Sequence, residues 1–250
     1  MAKNLTAKIY MVGSTAGVEV EIKDKEKFLE ESVNRLLEID LFEEVILVDD
    51  ASTDESFQIA SQLSDKNTNI NLIKLNKQSG KGFAVRAALD VIKTTHVIVH
   101  DADLEYFPKD IPEMFNLAIQ NPGSLILGSR TIGDKKRNNK YFWTFYGNKY
   151  LTILFSLVNF YKVSDIASCY WLLETDILQS LDLKEKGFAI EVEVLSKYLK
   201  KNKKIIEVPI SYDGRLFSEG KKINLRDGLL ILLKIIKYSK LFSINKIWNT

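Results

Sequence analysis

The stretch His96-Val97-Ile98-Val99-His100-Asp101-Ala102-Asp103, residues 96–103, decides how this chain is read. A β-branched run stops at two carboxylates that are one residue apart. Such a run reads as a buried strand with a polar carboxyl end. Working outward, the pattern recurs. Glu44 to Val48 stops at Asp49-Asp50, Ile70 to Leu75 leads into Gly80-Lys81-Gly82, and Ser124 to Ser129 stops at Arg130. Lys8 to Val12 reads as the first strand. Helical patterns lie between these runs: Leu29, Val33, Leu36 and Leu37; a segment to Leu63 opened by the cap residues Ser52-Thr53-Asp54; Val85, Ala88, Leu89 and Ile92; and Asp110 to Gln120. Strands alternating with helices imply parallel pairing in a layered α/β sheet. Ligands bind such sheets at the carboxyl ends of the strands, which is where this chain places its acids and Arg130.

The 250 residues, 46% apolar and 27% charged, suffice for one large domain with a substantial core, alone or with a short appendage. A formal charge of +2 gives no argument for nucleic acid, and none is expected as a partner. The single cysteine, Cys169, excludes an internal disulfide framework and a cysteine-built metal site, so a reducing compartment is the default. The start shows no signal-peptide pattern. No apolar run approaches the roughly 20 residues a bilayer requires, so any membrane contact is expected to be peripheral. Past Arg130 come a basic loop, Lys135 to Lys140, and an aromatic-rich segment, Tyr141 to Tyr161. Asn224 to Leu241 reads as an amphipathic helix, with Lys234, Lys237 and Lys240 opposite Leu229, Leu232, Leu233 and Ile236.

Two carboxylates at a strand end, Asp101 and Asp103, suit a hard cation such as Mg²⁺ or Mn²⁺, which takes oxygen ligands together with substrate phosphates. Solvated acids at a capped strand end fit the same spacing; the apolar strand before them and Leu104-Glu105 after them favour the metal. Asp49-Asp50 fits a helix cap as well as a contact to a base or ribose. Gly80-Lys81-Gly82 opens a helix whose N-terminus suits phosphate, although two glycines around a lysine also make an ordinary turn. His96 and His100 share one face of a strand, where core packing is favoured over metal ligation.

Together these segments resemble glycosyltransferase family 2, and within it the dolichol-phosphate mannosyl- and glucosyltransferase-like branch. The resemblance rests on VDDASTDES (48–56), GKGFAVRAAL (80–89), DADLEYFPKDIP (101–112), GSR (128–130), YFWTFYGNKYLT (141–152) and EVPISYDGRLFSEGKKINLRDG (207–228), in consistent order over about residues 44 to 238. It implies the GT-A nucleotide-binding fold: a mostly parallel central sheet flanked by helices, here as a domain over 1–215, with the acceptor loop and an amphipathic membrane-associated tail over 216–250. It implies nucleotide-sugar contacts from Asp50, Lys81, Arg86 and Asp101, and a divalent metal on Asp101, Asp103 and Glu105. Phosphate binding falls to Arg130 and Arg215, with Lys221 and Lys222 beside them. Asp103, Arg130 and Arg215 then form the catalytic set, and Glu191, Glu193 and Asp165 are base candidates for a hydroxyl acceptor. Three departures stand out. The family's Pro-x-Tyr-Asn-Glu strand end is replaced by Met11 to Gly17, Asp165 to Trp171 has Trp171 for a basic residue and Ala167 for an acid, and Phe188 to Glu193 lacks the usual proline.

The expected activity is metal-dependent, inverting transfer of a hexose from a UDP- or GDP-sugar to a polyprenyl phosphate, on the cytoplasmic face of a membrane and with homo-oligomers possible. The alternatives are transfer to a hydroxyl acceptor in surface polysaccharide synthesis, a nucleotide-sugar-binding scaffold, and a nucleotidyltransferase.

Overall fold

The computed structural model describes residues 16–23, 25–201, 204–215 and 225–242. The strands are β1 (Ala16–Ile22), β2 (Phe42–Asp49), β3 (Ile70–Lys74), β4 (His96–Asp101), β5 (Leu125–Ser129), β6 (Arg137–Asn138), β7 (Trp171–Glu174), β8 (Ile205–Pro209) and β9 (Tyr212–Asp213). The helices are α1 (Leu29–Leu37), α2 (Ser56–Lys66), α3 (Lys81–Leu89), α4 (Ile111–Gln120), α5 (Phe142–Asn159), α6 (Thr175–Gln179), α7 (Ile190–Lys200) and α8 (Leu225–Tyr238). Seven strands form one sheet in the order β3-β2-β1-β4-β7-β5-β8, and β6 pairs with β9 in a small ribbon. All neighbours in the large sheet are parallel except β7, which runs antiparallel to β4 and β5. The expected mostly parallel α/β architecture is therefore present.

Two apolar layers cover the sheet. One face packs against α1, α2 and α4 through Leu29, Val33, Leu63, Met114 and Phe115. The other packs against α3, α5, α7 and α8 through Val85, Ala88, Phe155, Leu195 and Ile235. The apolar positions expected on α3 (Val85, Ala88, Leu89) and beyond it (Ile92) are all buried.

The first strand differs from the expectation. Lys8 to Val12 lies outside the described residues, and β1 begins at Ala16, near the end of the stretch read as a strand-end loop, Met11 to Gly17. The carboxyl end of β1 comes at Ile22, so Lys23 to Glu26 follows the strand where that loop is expected. Val18-Glu19-Val20-Glu21-Ile22 hides this strand because it alternates apolar and acidic residues, whereas a strand covered on both faces usually reads as a continuous apolar run. β1 nevertheless sits between β2 and β4, and Val18, Val20 and Ile22 are buried.

The tail helix α8 packs on α5 and α7. Ile235 and Tyr238 turn inward, the Tyr238 hydroxyl donates to Glu185 Oε1 at 2.6 Å, and Lys234 pairs with the same oxygen at 2.7 Å. The outward residues are Leu229, Leu230, Leu233 and Ile236, so the apolar stripe of α8 faces away from the core. On α5, Phe142, Trp143, Tyr146, Tyr150, Ile153 and Leu157 are exposed as well. Among the described residues no helix is long and apolar enough to cross a membrane.

Candidate functional site

The carboxyl ends of β1, β2 and β4 lie side by side, and their loops deliver charge to one edge of the sheet. After β4, the backbone N–H of Asp103 donates to the Asp101 carbonyl at 2.8 Å, and Leu104 takes a left-handed conformation (φ 62°). This sharp turn directs Asp101, Asp103 and Glu105 into one cluster with cations from other elements. A left-handed leucine is strained, and such strain persists where surrounding contacts enforce it.

Lys81, at the first position of α3, is buried with its Nζ between two carboxylates, 2.8 Å from Asp101 Oδ1 and 2.9 Å from Glu191 Oε1. Burial alone lowers a lysine pKa, but the charges of Asp101 and Glu191 reverse this and hold Lys81 well above its ordinary value. Burial raises the pKa of Asp101, yet Lys81 outweighs it and holds Asp101 below the usual carboxylate range. Glu191 is pushed up, chiefly by burial, and its buried Oε2 has no hydrogen-bond partner among the described residues. The two glycines beside Lys81 now have a reason. A Cβ on Gly82 collides with the Glu185 carbonyl oxygen, and Gly80, at φ 88°, packs against the Lys186 carbonyl. The loop at 185–187 closes on the start of α3 and fixes the lysine.

Asp103 and Glu105 share Arg215. Its Nη2 lies 2.6 Å from Asp103 Oδ2, its backbone N–H donates to Glu105 Oε1 at 3.0 Å, and its Nε reaches the same oxygen at 3.4 Å. The Tyr212 hydroxyl donates to Glu105 Oε2 at 2.6 Å. Lys25, from the loop after β1, stands 3.9 Å from Asp103. Burial is the largest influence on Asp103; the like charges of Asp101 and Glu105 add to it, Lys25 and Arg215 oppose it, and the pKa rises to about 6. Among the described residues no three His, Cys, Asp or Glu side chains are grouped as a formed metal site.

The other residues expected at the site divide by location. Asp50 is buried, with Oδ1 accepting from Ser79 N–H (2.6 Å) and Oδ2 from Gly80 N–H (2.8 Å), so it braces the turn that carries Lys81. Arg86 donates to the Glu185 carbonyl and holds the same 185–187 loop from the other side. Glu193 is brought not to Lys81 but to the backbone N–H groups of Lys184 (2.9 Å) and Glu185 (2.7 Å) and to Lys197 (2.8 Å). Arg130 and Asp165 form a buried bidentate pair at 2.7 and 2.8 Å, with a third bond from the Arg130 backbone N–H at 3.1 Å. Its guanidinium stacks on the Tyr212 ring at 4.9 Å, linking this pair to Glu105. Lys221 and Lys222 lie outside the described residues.

Lys25 and Tyr212 reach the cluster, and Tyr106 packs on Tyr212 beside it, without a signal in the sequence. Lys25 follows β1, a strand that its alternating acids hid, and the two tyrosines are indistinguishable from core aromatics until their hydroxyls are seen to bond Glu105 and the Cys169 N–H. His96 and His100 are buried as expected: His96 packs edge-on to Phe115, and His100 bonds Ser32 (2.9 Å) and the Tyr170 hydroxyl (2.8 Å).

Comparison with known proteins agrees with this geometry. Over 184 residues, 71% of its length, the chain is 30% identical to a dolichol-phosphate mannosyltransferase of Pyrococcus furiosus, of which it spans 50%. It is 26% identical over 188 residues to an undecaprenyl-phosphate mannosyltransferase of Micrococcus luteus, covering 71% of this chain and 75% of that one. The fold matches a glucosyl-3-phosphoglycerate synthase of Mycobacterium tuberculosis, solved with Mn²⁺, uridine diphosphate and phosphoglyceric acid. That match has a TM-score of 0.72 at 16% identity and covers 92% of this chain and 80% of that one. The architecture is thus the GT-A arrangement. The glycosyl transferase family 2 model matches residues 20–182, more than half of the chain. By its sheet, its strand-end acids and this match, the chain belongs to glycosyl transferase family 2.

Proposed function

We propose that this protein transfers a hexose from a nucleotide sugar to a polyprenyl phosphate at a membrane surface, with inversion and with the help of a divalent cation. The observation that carries this reading is the cluster at the end of β4, where Asp101, Asp103, Glu105 and Glu191 meet Lys81, Arg215 and Lys25.

Among the described residues four carboxylates face three cations there. Burial is the main reason the Asp103 pKa is raised, the like charges of Asp101 and Glu105 add to it, and a hard cation on its oxygens and those of Asp101 relieves that repulsion. The donor set therefore fits Mg²⁺ or Mn²⁺, and Mn²⁺ accompanies the nucleotide in the M. tuberculosis synthase. When bound, the cation supplies positive charge to the departing diphosphate. Lys81 and Arg215 contribute the rest. Both are tethered by carboxylates at the sheet edge, so their charges are already in place when the bond to the diphosphate breaks. Arg215 adds a planar fork suited to phosphate oxygens.

The acceptor follows from chemistry and surface. A phosphate monoester, with its second pKa of about 6, is anionic near neutral pH and attacks the anomeric carbon without a general base. A hydroxyl acceptor needs a base, and Glu191 is committed to Lys81. Exposed aromatic and aliphatic side chains on α5 and α8 adjoin Lys149, Lys237 and Lys240, which suits an anionic bilayer surface. The lipid-phosphate relatives support the same acceptor class.

The test is transfer of labelled sugar from UDP- and GDP-hexoses to polyprenyl phosphate and to the matching polyprenol, with and without Mn²⁺. Label in the phosphate product, lost with chelator and in Asp103→Asn, is expected. Equal transfer to the alcohol, or transfer that survives chelation, contradicts the proposal.

A further inference from the structure

Glu185, in the loop between α6 and α7, touches the tail helix with its side chain and the Lys81 turn with its backbone. Its Oε1 accepts from the Tyr238 hydroxyl at 2.6 Å and lies 2.7 Å from Lys234 Nζ and 3.7 Å from Lys237 Nζ, all on α8. Its carbonyl oxygen accepts from Arg86 of α3 and lies so close to Gly82 that a Cβ there collides with it. The next carbonyl, of Lys186, accepts from the Phe83 N–H at 3.3 Å. On the far side the Glu185 N–H is held by Glu193 Oε2 at 2.7 Å. Burial works against the Glu185 charge, but the bonds from Lys234 and Tyr238 outweigh it and hold the carboxyl below its usual range.

The geometry points to Glu185 as a positioning residue that couples the seating of α8 to the placement of Lys81. This rests on the reading above that α8 meets a bilayer and Lys81 the departing diphosphate, and it adds that the two events are linked. Charged hydrogen bonds are directional, so a slide or rotation of α8 breaks them and frees the 185–187 loop that packs on Gly80 and Gly82.

The bilayer has reason to favour the seated helix. α8 packs beside α5, and both leave apolar stripes outward, with Leu229, Leu233 and Ile236 on one and Tyr150, Ile153 and Leu157 on the other. A bilayer reaches both stripes together while α8 keeps its place, so it binds that state better than a displaced one and shifts the population toward it. Such coupling is reciprocal: a ligand that fixes the Lys81 turn tightens the hold on the bilayer by the same factor.

The experiment is hydrogen exchange of the full chain with and without phosphatidylglycerol vesicles. It compares wild type, Glu185→Ala, and Lys234→Met with Tyr238→Phe, which removes two donors from the α8 side of the contact. Flotation on the same vesicles is measured with and without a uridine or guanosine diphosphate plus Mn²⁺, and urea midpoints check that each variant folds. In wild type we expect vesicles to slow exchange about fivefold or more in α8 and in the amides of Phe83, Lys184 and Glu185, and nucleotide to tighten vesicle binding by a similar factor. In both variants α8 should stay protected while the loop and turn no longer respond and vesicle affinity ignores nucleotide. Variants that shift only the urea midpoint and keep these responses overturn the coupling. Wild-type protein whose α8 is protected but whose loop and turn do not respond overturns it too, and leaves the bilayer reading standing; absence of α8 protection removes both. A loop and turn that respond to vesicles in protein that binds no nucleotide uphold the coupling and remove the donor reading.

Discussion

Replacing Asp165 by Asn removes the charge that Arg130 is buried against while keeping nearly the same shape. Arg130 is 9% exposed and Asp165 2%, and two side-chain bonds and one backbone bond join them. An uncompensated guanidinium in such a place costs about 3–5 kcal/mol. That is a large part of the roughly 5–15 kcal/mol that holds a typical domain together. For a chain of this size each kcal/mol moves the melting point by about 2–4 °C, so a drop on the order of 6–20 °C is expected. Urea unfolding followed by tryptophan fluorescence gives the free energy, and calorimetry the melting point. The double variant Arg130→Met with Asp165→Leu removes both charges, and should recover most of the loss because no buried charge is left alone. A cost below about 1 kcal/mol for Asp165→Asn, or a double variant no better than the sum of the singles, refutes the claim that this pair is chiefly structural.

Three further outcomes are expected. Gly82→Ala sets a methyl against the Glu185 carbonyl and displaces the turn bearing Lys81; it should cost about 1–3 kcal/mol and depress transfer, whereas Gly147→Ala, with open space around it, should be neutral or slightly stabilising. His100 is held down to about 4 by burial, the nearby charges of Lys81 and Arg35 assisting against Asp101. Its folded value lies below the ordinary 6.5, so its contribution is complete above pH 6.5 and lost as pH falls toward 4, by up to about 3 kcal/mol; His100→Gln should flatten melting point against pH across that window, and an unchanged slope counts against this. Trp143→Glu with Leu233→Glu, both at exposed positions, should abolish flotation on anionic vesicles without moving the urea midpoint, and retained flotation removes these two helices as the docking face.

The sheet was legible where the chain obeys simple patterns. β2, β4 and β5 each centre on an uninterrupted apolar run, and their polar ends mark one edge of the sheet. β1 escaped because its acids break the run, and with it went Lys25. β7 escaped because Trp171 to Glu174 is only four residues long and antiparallel, and the short strand has no flanking turn signal. At the site, the residue types were readable and their partners were not. Glu191 and Glu193 are two positions apart on α7, yet one meets Lys81 and the other holds a backbone loop. Arg130 reads as a phosphate ligand, and nothing in the sequence shows that Asp165, distant along the chain, binds two of its nitrogens. The outward stripe of α8 was visible as an amphipathic pattern, but which side meets the core depends on Ile235 and Tyr238 reaching Glu185 and the underlying helices.

The most direct measurement is titration of Mn²⁺ into the protein with a uridine or guanosine diphosphate present, comparing wild type with Asp103→Ala and Asp101→Ala. Saturable Mn²⁺ binding that requires nucleotide and is lost in both variants is expected, because Asp101 and Asp103 supply the oxygens that hold the cation. Binding that survives both substitutions, or a wild-type protein whose acids keep their internal ion pairs and take up no Mn²⁺, contradicts it.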